Sequence, residues 1–94
     1  SIGVNAFKGC TALKTVDATK CNLYKIGKKA FMGCTLLKTF KIYTDYLTGV
    51  GTGAFSKVPN TCRMKIYAST KAAYRRSVKK MKKAGGRNLR YSRV

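Results

Sequence analysis

Residues 26–42, IGKKAFMGCTLLKTFKI, decide the fold, because nearly the same string returns at a fixed distance on either side. Residues 2–18 read IGVNAFKGCTALKTVDA and residues 50–66 read VGTGAFSKVPNTCRMKI, so the period is 24 residues and holds without insertion. Ile2, Ile26 and Val50 coincide, as do Gly3, Gly27 and Gly51, then Ala6, Ala30 and Ala54, then Phe7, Phe31 and Phe55. A self-similar period of this length marks a chain in which one unit cannot bury its apolar face alone and does so against the next. The fold expected is an α/β repeat solenoid of short parallel strands, each joined through a helical or 3₁₀ turn, with units at 2–25, 26–49 and a degraded third at 50–69.

Inside a unit, Leu13, Val16 and Ala18 recur as Leu37, Phe40 and Ile42, the L-x-x-L-x-L spacing of a turn followed by a short strand. Side chains alternate along a strand, so these residues point inward. Thr15 and Asp17, Thr39 and Lys41, and Arg63 and Lys65 then face outward on a continuous parallel sheet, with Tyr67 beside them, and form one candidate binding face. The Ala-Phe pairs mark the opposite wall, with Phe7, Phe31 and Phe55 stacked as an internal spine. Residues 23–26 and 47–50 alternate enough for a second short strand leading into each next unit.

After residue 69 the pattern changes to a basic segment, 70–94. Thr70 is an N-cap before KAAYRRSVKKMKKAGG, in which Ala73 or Tyr74, Val78 and Met81 share a face. This predicts an amphipathic capping helix over about 71–84, ended by Gly85 and Gly86, then a terminal strand through Leu89 and Tyr91.

The string IG-x-x-AF-x-GC-x-x-L-x-x-V-x-I resembles the BspA-like leucine-rich repeat family, found in surface proteins of bacteria and some protozoa. The resemblance covers residues 2–66 and is nearly complete in the first two units. In the third, Lys57 and Val58 replace Gly-Cys and Pro59 comes next, so the turn there is expected to be rebuilt to meet the cap. The family's proline after the strand isoleucine is absent, with Thr19, Tyr43 and Tyr67 near that place. The resemblance implies an adhesin-like module of a cell-surface or secreted protein, whose partner is a host or microbial protein or an anionic glycan.

The residue inventory weighs against an enzyme. The chain has no His and no Glu, and its only acids are Asp17 and Asp45. General acid-base work therefore lacks its usual groups, and cysteine catalysis would lack a histidine base. Neither a metal nor a cofactor is expected. Cys10 and Cys34 hold equivalent positions and should stack inward as free thiols, Cys21 and Cys62 have no repeat partner, and no C-x-x-C spacing occurs.

Charge is the abnormal feature, with 21 Lys and Arg giving a formal charge of +19 over 94 residues. Ten of those cations fall in residues 71–94. Arg75, Arg76, Lys79, Lys80, Lys82, Lys83, Arg87 and Arg90 form a second candidate site, for a polyanion, because electrostatic attraction to phosphate or sulfate needs little design. Two alternatives stand beside it: a purely structural cap whose charge serves solubility, and a basic nucleic-acid-binding module, for which no motif is present. No apolar run reaches the length of a membrane span, so membrane insertion is not expected. The chain opens in mid-repeat and reads as a fragment. Ile2, Phe7 and Leu13 should consequently be uncovered, favouring end-to-end self-association or low stability.

Overall fold

The computed structural model describes all residues, 1–94. The strands form two parallel sheets. The larger has the order β1 (Thr15–Ala18), β3 (Thr39–Tyr43), β5 (Arg63–Tyr67), β6 (Arg90–Arg93); the smaller pairs β2 (Lys25–Ile26) with β4 (Gly49–Val50). Register follows the period, with Val16 beside Phe40 and Phe40 beside Met64, and Ile2 bridges to Ile26 to extend the smaller sheet. The second strands are two residues long, shorter than the segments 23–26 and 47–50 that the alternation suggested.

The third wall is built by turns rather than by a helix. Ala30 N–H returns to Gly27 C=O and Cys34 N–H to Phe31 C=O, each closing a single i→i+3 turn of the 3₁₀ kind that does not continue into a helix. These turns are stitched to the next unit by backbone bonds. Phe7 N–H donates to Ala30 C=O and Phe31 N–H to Ala54 C=O, both at 2.8 Å. At Gly9, Gly33 and Lys57 the backbone enters the left-handed region, with φ of 72°, 79° and 62°. Lys57 therefore keeps the turn that glycine makes in the other units, although a side chain is disfavoured there. Only the segment after Pro59 is rebuilt: Cys62 N–H bonds to Pro59 C=O, and Cys62 rather than Thr61 turns inward.

The interior fills as the sequence pattern requires, but unevenly. Phe31 and Phe55 are fully buried with rings parallel at 5.7 Å, and Phe40 meets both edge-on at 4.9 and 5.3 Å. Phe7 stacks on Phe31 at 5.3 Å but keeps 38% of its surface exposed, so the spine has two covered members and one that is half open. Cys34 is buried and its thiol donates to Phe7 C=O, whereas Cys10, expected to stack inward with it, is exposed. Both departures have one cause: in the first unit each inward side chain has a neighbour on one side only. Ile2, Leu13 and Val16 are half-buried for the same reason.

At the other end, α1 (Lys71–Met81) starts where Thr70 Oγ1 accepts the Ala73 N–H. It stops three residues earlier than expected. Residues Lys82–Gly86 form a wider π turn that ends as Gly85 swings to φ +95°. That turn delivers Ala84 C=O to the N–H of Phe55, the bond that another repeat turn would otherwise supply. Strand β6 begins at Arg90, with buried Leu89 just before it, and runs parallel to β5.

Candidate functional site

The outward residues of the sheet line up in rows, of which the first grows more basic toward the cap. Thr15 sits beside Thr39, Thr39 beside Arg63 and Arg63 beside Arg90. In the next row Asp17 neighbours Lys41, Lys41 neighbours Lys65 and Lys65 neighbours Ser92. Thr15 and Asp17 on the edge strand β1 are exposed, as is Arg63, whereas Thr39, Lys41, Lys65 and Tyr67 on the inner strands are half-buried. Bonds from the Thr19 hydroxyl and N–H hold Asp17 below the ordinary carboxylate range, with smaller help from Lys41 and Lys20. One concavity, of about 390 Å³, opens on this face between Lys38, Thr39, Thr61 and Arg63, and it takes in only two of the seven residues.

The basic end is shaped differently. A groove of about 700 Å³ runs between α1 and the segment leading into β6. Its rim carries Arg75, Lys79, Lys82, Lys83 and Arg87, with no carboxylate among the lining residues. These are the helix positions i, i+4 and i+7/i+8, one stripe of α1 and its continuation into the π turn, joined by a cation from the loop. The floor is Tyr74, Val78, Leu89 and Tyr91. Tyr91 is fixed there because its hydroxyl donates to Gly86 C=O at 2.7 Å, and burial pushes its pKa well above the ordinary phenol value. Lys82 Nζ lies 5.8 Å from the Tyr91 ring centroid, within cation-π range.

The structure thus divides the eight cap cations. Five of them converge on the groove, whereas Arg76 and Lys80 lie on another side of α1 and Arg90 points from the outer face of β6. The groove floor was only half visible in the sequence: Val78 belongs to the helix's apolar stripe, but nothing in the sequence spacing brings Leu89 and Tyr91 beside Tyr74.

A second constellation was missed. Asp45 accepts from Ser69 N–H at 2.9 Å, from the Ser69 hydroxyl and from Tyr43 OH at 2.9 Å. The Ser69 bonds are the main cause of a pKa below the ordinary range, and Arg76 adds a smaller effect. Tyr43 OH is pushed up in turn, chiefly by donating to Asp45. The cue lay in the period, because Asp45 and Ser69 occupy the same place in successive units. No three His, Cys, Asp or Glu side chains gather as a metal site, and all four cysteines are free.

The family model of the BspA type leucine-rich repeat region, a region of six copies, matches residues 1–83. The chain belongs to the BspA type leucine-rich repeat family. The match runs through the three units and all of α1 into the π turn, beyond the residues 2–66 that carry the visible motif. No curated protein and no solved structure matches the chain. In this BspA type chain no helix is long and apolar enough to cross a membrane.

Proposed function

We propose that this chain is a non-enzymatic binding module of a cell-surface or secreted protein, a repeat solenoid whose cationic cap holds an anionic macromolecule. The observation that carries the reading is the groove beside α1, where five cations surround an apolar floor and no acid neutralises them. Scattered surface cations would attract anions weakly and without a preferred place; a one-sided concave cluster concentrates the potential at one location. The row Thr15, Thr39, Arg63, Arg90, basic toward the same end, would guide a long polyanion onto it. Contacts of this kind are heavily screened beyond about 8 Å at physiological salt, so the affinity should be salt-sensitive.

A heparin-like glycan titrated against the folded chain at several salt concentrations tests the proposal. Binding that weakens steeply with salt and maps to Arg75 and Lys79 supports it; indifference to the glycan at low salt removes it. The bond from Phe55 N–H to Ala84 C=O favours a second reading, in which the cap exists to close the stack. That role is compatible with the first unless the cap charges prove dispensable for every anion.

A further inference from the structure

The groove is bordered by a sheet edge. In the larger sheet β6 is the last strand, hydrogen-bonded to β5 on one side and to no strand on the other. Arg90 N–H donates to Cys62 C=O and Val94 N–H to Ile66 C=O, so alternation turns the amides of Tyr91 and Arg93 toward the open side. Such an edge is a template for another strand unless something blocks it. Here no proline and no bulge does, since β6 pairs with β5 in unbroken register; the guard is charge, with Arg90 exposed on the outer face and the Arg93 guanidinium donating to Ala68 C=O. Cations repel a further copy of this +19 chain while admitting an acidic strand, so the guard selects rather than forbids.

We propose that the open edge of β6 and the adjoining groove take up an extended acidic segment of a partner protein, which adds as a fifth strand of the larger sheet. This rests on the reading of the cap as an anion-binding end and names the class of partner. Register supports it. Val16, Phe40, Met64 and Tyr91 form one inward column across the four strands. An apolar residue of the added strand opposite Tyr91 continues that column over the floor made by Tyr74, Val78 and Leu89. Carboxylates on the residues immediately beside it face outward with Arg90, and those two places away, which share its inward face, meet Lys79 and Lys83 across the groove. A sulfated glycan or a nucleic acid satisfies the cations but leaves the edge amides unpaired. Peptide backbone alone satisfies all three features: edge, floor and rim.

The test uses the full 94-residue chain and an acetylated, amidated octapeptide with a central Phe flanked on each side by two Asp, and Val elsewhere. A second peptide carries N-methyl groups on the alternate amides that would face β6, and heparin serves as a competitor. The expected result is binding that heparin displaces, slowed hydrogen exchange at the Tyr91 and Arg93 amides, and an affinity loss of at least about tenfold on N-methylation. Equal binding by the N-methylated peptide, or unprotected Tyr91 and Arg93 amides in the complex, overturns strand addition. Heparin binding without peptide binding also overturns it, while leaving the anion-binding cap standing. Failure of both ligands removes both.

Discussion

Asp45 reaches forward by one full repeat to Ser69, accepting the bonds of its backbone N–H and its hydroxyl, and so ties the second unit to the last residues before the cap helix. Ser69 precedes Thr70, which caps α1, so the carboxylate steadies the point at which the chain leaves the repeats. Asp45→Asn retains the shape but loses the charge-assisted character of these bonds, and the melting temperature should fall. The pH sign comes from the depressed pKa of Asp45 in the folded chain. Its contribution is present above the unfolded carboxylate value of about 4 and is lost as pH falls through the lower folded value. Thermal melts across that acid window should show the difference between parent and Asp45→Asn shrinking as the pH drops. A constant difference at all pH values would assign the effect to shape alone.

The three phenylalanines of the spine, alike in sequence, should differ in energy. Phe31 is enclosed between Phe7, Phe55 and Phe40, and truncating it to Ala should cost about 3 to 5 kcal/mol, the usual range for a buried aromatic. Phe7→Ala should cost well under half as much, since 38% of Phe7 already meets water. Urea denaturation of the two variants checks the order. Equal losses would mean that the exposed side of Phe7 is covered in solution.

The same contrast shows what a sequence of this kind reveals and what it withholds. Strand positions, inward columns and the 24-residue register come from side-chain alternation repeated three times, because a period constrains every unit at once. Phe7 and Cys10 share the letters of Phe31 and Cys34, yet burial depends on having a neighbour on both sides, which no residue encodes. The groove at the cap was illegible for a related reason. It arises where the π turn at Lys82–Gly86 brings the chain back along α1, and that return depends on Gly85 leaving the helix, not on any spacing of cations.

Glycines at one repeat position should give the sharpest stability contrast. A Cβ added at Gly51 would lie 2.3 Å from the backbone nitrogen of Lys28, and one at Gly27 would lie 2.5 Å from the carbonyl carbon of Gly3, whereas one at Gly3 meets nothing within 4 Å. The smaller sheet lets successive backbones approach this closely only without side chains at that position. Gly51→Ala and Gly27→Ala should therefore force units apart and lower the melting temperature markedly, while Gly3→Ala is tolerated. Three circular-dichroism melts decide it, and a sensitive Gly3→Ala would contradict the geometry.

Thiol reactivity should separate into two pairs. Cys10 and Cys21 are exposed, whereas Cys34 and Cys62 are buried, and burial pushes the Cys62 thiol up to about 11. Since the thiolate is the reacting species, alkylation of the native chain near neutral pH should label Cys10 and Cys21 first. Denaturation without reductant should release all four. Mass spectrometry of peptides reads the order, and early labelling of Cys62 would show that the core opens readily at β5.

The last prediction separates the geometry of the cap from its net charge. Arg75 and Lys79 line the groove, whereas Arg76 and Lys80, next to them in sequence, do not. Two double variants, Arg75→Gln with Lys79→Gln and Arg76→Gln with Lys80→Gln, remove the same charge from the same helix and preserve helix propensity nearly equally. If affinity tracked net charge alone, both would weaken DNA or heparin binding to the same degree. The groove reading expects the first pair to lose affinity strongly and to flatten the log-log salt slope on DNA by about 2, one unit for each phosphate contact removed. The second pair should change the slope little. Arg76 also lies near enough to Asp45 to lower its pKa slightly, so the second variant needs a check that its melt is unchanged before its binding is compared. Equal losses from two folded variants would mean that the anion senses the whole basic end and that the concavity beside α1 has no part in holding it.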